Sequence, residues 1–332
     1  MLSGGGALRA SRALKGYGFD RPILCDAERY KGRNRYLAEA AFDQEWIASQ
    51  RRLQGPVLTD SGYVEEGDVT GLRSILERTR RLGDDAIACL PLHLSWLKNS
   101  DDVEKLCAEI VAHNVPVALV LEHRNDPLGV QGALRNLLKL LKLGTPIMLL
   151  RSDVSALGAL CFGALCAAVG TMPALRHLYP VASGGGGGGE RPVSILVPHC
   201  ISYVTTDKVA GAIPLTPDQA HHWVCECDTC YGRQLDHFVT IDDYDARVEA
   251  AFCHSFQWLL DIRDELFEPR LTAAARRNSW IERCKSAAFY HEELAKAPLY
   301  RDWPVPAFLK AWEAVGSPEP WRKSISRKPH SR

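Results

Sequence analysis

The sequence predicts an α/β chain: a (β/α)8 TIM-type barrel with an inserted or appended zinc-binding subdomain. Three observations carry this. From about residue 20 onward, short apolar runs alternate with helical stretches, the rhythm of βα units around a parallel sheet. The runs are continuously apolar, as strands covered on both faces are. Residues 221–254 then gather Cys225, Cys227, Cys230 and His254, three thiolates and an imidazole, the donors of a closed tetrahedral zinc site.

The first 19 residues hold Arg9, Arg12 and Lys15 and no acid. They lack the apolar core of a secretory signal and read as a flexible N-terminus. The barrel is expected over 20–214. Its strands are the runs 22–25, 57–58, 86–92, 115–121, 146–150, 166–170 and 193–197, with one strand hidden. Helices are expected over 36–54, 69–81, 101–113, 130–143 and 154–165. The first βα junction has no Gly-rich phosphate loop, which argues against a dinucleotide-binding sheet. Residues 154–175 carry no charge, but their Ala, Gly and Cys content and Pro173 point to a buried helix and strand rather than a membrane span.

Six consecutive glycines at 184–189 cannot bury side chains and are costly to order, so 183–189 is expected to be a surface loop. The zinc-binding subdomain is placed at 215–268 and a C-terminal helical segment at 269–321. A basic tail follows at 322–332, with five Lys or Arg and no acid.

Forty basic residues balance forty acidic ones. No global field announces nucleic acid, and such a partner needs a local basic patch. Eleven cysteines without a secretory signal indicate a reducing, cytoplasmic compartment, where clustered Cys and His more often hold metal than form disulfides. Cys25, Cys89, Cys107, Cys161, Cys166, Cys200 and Cys284 read as buried thiols. Four protein ligands leave no coordination position for water, so the expected Zn2+ is structural.

In a barrel, acids at the carboxyl ends of strands face the active site. Asp26, Asp60, Glu122 and Asp153 fall there, although each can instead cap the helix that follows. Asp126 precedes Pro127 and reads as an N-cap. With His93, Arg124, Arg176 and His177 it is left outside the expected site.

Two motifs resemble the tRNA-guanine transglycosylase family. The C-x-C-x-x-C run, followed by a helix led by His254 with Phe256, Trp258 and Arg263, is similar to its zinc subdomain. The segment LTDSGY resembles the family's Leu-Thr-Asp-Ser-Gly-Gly: Asp60, Ser61 and Gly62 match, and Tyr63 replaces the second glycine. The resemblance implies exchange of guanine for a 7-deazaguanine base in nucleic acid, through a covalent glycosyl-aspartate. Asp60 would serve in acid/base steps, and Ser61 and Gly62 would bind the base. The family's Phe-Asp-Cys…Pro-Thr-Arg segment, which carries its nucleophile, has no counterpart here. Asp153, beside Arg151 in LLRSD, stands in that role.

This departure is similar to the branch that inserts 7-deazaguanines into DNA, so the partner is tRNA or DNA, with a homodimer or an accessory subunit completing the surface and no membrane involved. The alternative is a catalytically inactive, transglycosylase-like binding subunit. An unrelated barrel hydrolase with an incidental zinc knuckle is a third reading.

Overall fold

The computed structural model describes residues 1–181, 191–297 and 302–316. The glycine run and the basic tail lie outside the described residues. Instead of a flexible terminus, the first residues form β1 (Leu2–Ser3) and α1 (Ala7–Gly16), and β1 pairs in parallel with β2 (Cys25–Asp26). Ala7 and Cys25 pack in a small core with Ile23. That burial holds down a segment whose charge pattern resembles a loose tail.

Five parallel strands follow in strict chain order: β3 (Val57–Leu58), β4 (Ala86–His93), β5 (Val117–Glu122), β6 (Ile147–Ser152) and β7 (Cys166–Val169). They curl as a half-barrel. Before and between them lie α2 (Gln44–Arg52), α3 (Val69–Leu82), α4 (Ser95–Lys98), α5 (Ser100–His113), α6 (Ala133–Leu140) and α7 (Ala156–Cys161). Several helices are shorter than expected. The chain from Tyr36 to Phe42 is loop because Asp43 caps α2, accepting from the N–H groups of Glu45 (2.9 Å) and Trp46 (3.2 Å).

Strand alternation divides the core in two. Ala88, Leu90, Leu92, Val117, Leu119, Ile147 and Leu149 face the helices. Leu58, Ile87, Cys89, Ala118, Val120, Met148 and Leu150 line the concave side with Tyr30, Tyr63 and Leu178. β7 is only half-buried along its length, which corrects the expectation of a buried strand at 166–170.

The run 193–197 does not join the parallel sheet. It forms β8 (Ser194–Val197), antiparallel to β9 (Ser202–Thr205). Next come α8 (Thr206–Ala212), the hairpin β10 (Val224–Cys225) and β11 (Arg233–Gln234), and the long helix α9 (Tyr244–Leu266). A second core joins β8, β9 and α8 to the three clustered cysteines, Phe238 and Ala251. The unit that carries the cysteine cluster therefore begins near residue 194, upstream of the expected boundary at 215.

α10 (Ala273–Lys296) and α11 (Ala307–Gly316) return to the half-barrel. α10 lies on α7 at Gly158, where a Cβ would fall 2.1 Å from Trp280 Nε1. Only glycine permits that contact. No described helix is long and apolar enough to cross a membrane.

Candidate metal centre and the acidic rim of the half-barrel

The Cys225 to Cys230 knuckle is built by the β10–β11 hairpin. The Cys230 and Gly232 N–H groups donate to the carbonyls of Cys227 and Cys225, each at 2.9 Å. Tyr231 and Gly232 take positive φ (52° and 77°) to turn the chain. α9 supplies the fourth donor from its middle rather than its start: His254 lies ten residues after Tyr244, on the buried stripe with Ala251, Ser255, Leu259 and Ile262. Phe252 and Phe256 on the same helix point outward and are 43% and 46% exposed.

The four donor atoms lie within 4.8 Å of one another and all four residues are buried. His254 Nδ1 is 3.5 Å from Cys225 Sγ and 3.4 Å from both Cys227 Sγ and Cys230 Sγ. A tetrahedral zinc with Zn–S of about 2.3 Å and Zn–N of about 2.0 Å would separate nitrogen and sulfur by about 3.5 Å. The donors thus already stand at coordination spacing, and the cluster is able to hold a metal ion.

The surrounding contacts fit that role. His254 Nε2 lies 2.9 Å from the Leu196 carbonyl, which fixes the proton there and turns the Nδ1 lone pair toward the sulfurs. Trp258 Nε1 donates to Cys225 Sγ (3.2 Å), and His237 Nε2 lies 3.3 Å from Cys230 Sγ. Burial opposes charge on His254, but hydrogen bonding to the Cys225 and Cys227 sulfurs outweighs it and lifts the ring to about 9. Cys225 is drawn down to about 3, chiefly by hydrogen bonding from Cys230. A bound cation would take the place of the protons shared in this cluster.

The second assembly lies along the carboxyl rim of the parallel strands. Asp60, just past β3, is 3% exposed. Its Oδ2 is held by the Arg29 guanidinium and by the Asp43 N–H at 2.9 Å. Its Oδ1 is sealed from solvent and has no partner. Ser61 Oγ lies 2.8 Å from Thr59 Oγ1, and a Cβ on Gly62 would sit 2.0 Å from the Leu37 carbonyl oxygen. The glycine is therefore needed by the crossing chain itself.

Tyr63 donates its hydroxyl to Glu122 Oε2. Arg35 bonds Glu122 Oε1 at 2.6 Å and lies 3.4 Å above the Tyr63 ring. Asp26 accepts from the Tyr30 hydroxyl (2.6 Å) and the Glu28 N–H (2.9 Å). Burial pushes its carboxyl above the usual range, against those bonds and the Arg151 charge. Arg151 reaches this group from a break in β6 register, where its φ is 48°.

Asp153, just past β6, lies elsewhere on the rim. Its Oδ1 accepts from the adjacent Val154 N–H at 2.8 Å, and no side chain caps the helix that follows. It lines a cleft of about 460 Å3 with Asp126, Arg176, His177 and Tyr203. Burial, then the Asp153 charge, pushes Asp126 up to about 7. Asp126 also caps the turn Pro127–Gly129 through the Leu128 N–H (2.9 Å), as its place before proline implies.

Among the described residues no hydrogen bond or ion pair joins Asp60 to Asp153. They share the rim of one sheet, with β4 and β5 between their strands. Sequence reasoning missed Arg29 and Arg35, which come from an irregular loop with no periodic signal. It passed over Arg176 and His177 because a strand-end position alone does not separate structural from ligand-facing side chains.

No family model, no curated protein and no solved structure matches this chain.

Proposed function

We infer that the protein is a zinc-stabilised transglycosylase that exchanges guanine for a 7-deazaguanine base in tRNA or DNA. The observation that carries this reading is Asp60. One oxygen is clamped by Arg29 and a main-chain N–H, while the other is buried and unpartnered at a strand's carboxyl end. A buried acceptor left open is costly, and a base N–H would satisfy it. The LTDSG tripeptide that presents it occurs in one chain with a Cys3His cluster at zinc spacing.

Asp153 is the proposed nucleophile. Its attack on C1′ would expel guanine and form a glycosyl-enzyme ester; the incoming base would then displace the carboxylate, with Asp60 managing the base proton. Three inter-strand steps of about 4.8 Å put the two strand ends roughly 14 Å apart along the sheet, and closer across its curl, a span suited to a flipped nucleotide. Ser61 and Gly62 would shape the base site. In this reading the five-stranded parallel half-barrel is the counterpart of a (β/α)8 barrel. Zinc serves the fold and takes no part in the chemistry. All eleven cysteines are free, which suits the reducing cytoplasm.

One observation favours a second reading, that of a binding subunit without catalysis: one Asp153 carboxylate oxygen is already engaged by the Val154 N–H. Incubation with radiolabelled guanine, tRNA and duplex DNA in parallel separates the two. Incorporation into one polymer by wild type, lost in Asp60→Asn and Asp153→Asn, supports the enzyme and chooses its substrate. A trapped covalent complex absent from Asp153→Asn assigns the nucleophile. Folded, zinc-loaded wild type that binds nucleic acid without incorporating label leaves the binding subunit.

A further inference from the structure

The cleft beside Asp153 contains polar groups that nothing in the protein satisfies. Arg176 is 8% exposed, and its Nη2 is sealed from solvent without a partner. Its only side-chain hydrogen bond among the described residues is a long one, Nε to the Gly170 carbonyl at 3.4 Å. No ion pair neutralises it there. The guanidinium carbon lies over the Tyr203 ring, 3.3 Å from its centre. That contact holds the guanidinium against the ring, and burial makes the missing anion expensive. The Tyr203 hydroxyl is likewise buried and unpartnered.

Beside them, His177 is 4% exposed. Its Nε2 lies 3.1 Å from the Arg124 carbonyl, which places the proton on that nitrogen. Nδ1 is left as a bare, buried acceptor without a partner. A planar cation, a hydroxyl and a neutral acceptor therefore face one cleft, each lacking its complement.

We propose that Arg176 and Tyr203 form an oxyanion subsite that holds a backbone phosphodiester of the substrate strand next to Asp153, while His177 Nδ1 accepts from a hydroxyl or N–H of the same nucleotide. The fork donates to the phosphate oxygens, as guanidinium geometry favours, and the tyrosine hydroxyl adds a neutral donor. Asp153 lies close enough to feel the Arg176 charge, so a phosphate anchored there sets the adjoining sugar against the carboxylate. This assignment rests on the base-exchange reading for the identity of the ligand. The unsatisfied donors exist independently of it.

The test measures binding of a labelled single-stranded DNA and its RNA counterpart to the full chain at several salt concentrations, for wild type, Arg176→Gln and Tyr203→Phe. Each neutralised phosphate contributes roughly one unit to the slope of log affinity against log salt. Arg176→Gln is expected to lose about ten-fold or more in affinity and to flatten the slope by about one. Tyr203→Phe, which keeps the stacked ring, is expected to lose several-fold with the slope unchanged. A folded Arg176→Gln with wild-type affinity and slope overturns the subsite.

If Arg176→Gln does not fold, unaltered binding by Tyr203→Phe, together with no loss when single methylphosphonates are walked through the oligonucleotide, overturns it equally. If wild type binds neither polymer, the base-exchange reading falls, and inorganic phosphate then reads the subsite alone. A rise in melting temperature with phosphate in wild type, reduced in Tyr203→Phe, upholds the anion site, and no rise in wild type removes it.

Discussion

Glu28 and Arg151, 123 positions apart, form an ion pair in which both residues adopt left-handed backbone, with φ of 56° and 48°. Non-glycine residues pay for that conformation, of order 1–3 kcal/mol each. The cost is borne where the β2 loop meets the irregular end of β6. The Arg151 side chain is 1% exposed and also lies 3.9 Å from Asp26. One guanidinium thus ties two distant segments of the rim.

Replacing that guanidinium removes the buried cation that lies beside both Asp26 and Glu28. Arg151→Met is expected to destabilise the protein by about 3–5 kcal/mol, the usual cost of stranding a buried charge. Urea unfolding checks it. A loss below about 1 kcal/mol would show that the rim does not depend on this pair.

Asp126 supplies a pH-dependent signature. Its carboxyl holds a proton up to about pH 7 in the fold, against about pH 4 unfolded. Stability linked to that raised value is fully present below about pH 4 and is lost as pH rises through about 7. Asp126→Asn escapes this loss, so its stability relative to wild type should improve between pH 4 and 7 and stay level above. A gap that does not change with pH refutes the assignment.

At the metal centre, Cys227→Ser is expected to lower bound zinc, measured by elemental analysis, and to reduce the melting temperature. The Cys225, Cys227 and Cys230 side chains belong to the second core with Phe238 and Trp223, so loss of the ion loosens that unit as a whole. Full zinc stoichiometry in the purified variant would remove Cys227 from the ligand set.

Gly158→Ala tests the α7–α10 contact. The added methyl would meet Trp280 Nε1 at 2.1 Å and the Trp312 ring at 2.6 Å. Overpacking of this kind costs typically 1–3 kcal/mol, and a neutral result in thermal unfolding would mean that the helices separate readily.

The sequence by itself determined the alternation of strands and helices, because continuous apolar runs and helical periodicity are local signals. It marked the candidate metal cluster for a similar reason: thiols with one and two residues between them have few structural alternatives to a knuckle, and the histidine was legible by composition. It also marked Asp60 and Asp153 as strand-end acids. Only the tertiary structure decided what surrounds them.

Arg29 reaches Asp60 from a loop, Arg151 reaches Asp26 and Glu28 from a bulge, and Arg176 reaches Tyr203 of β9 from just past the short turn Pro173–Leu175. These partners lie between 27 and 125 positions apart, and no local pattern relates them. The same holds for β8, whose apolar run suits a parallel strand as well as a hairpin: its partner β9 and the core shared with the cysteines settled the matter. Apolar periodicity reports that a strand is buried. Which neighbour buries it is a property of the assembled chain.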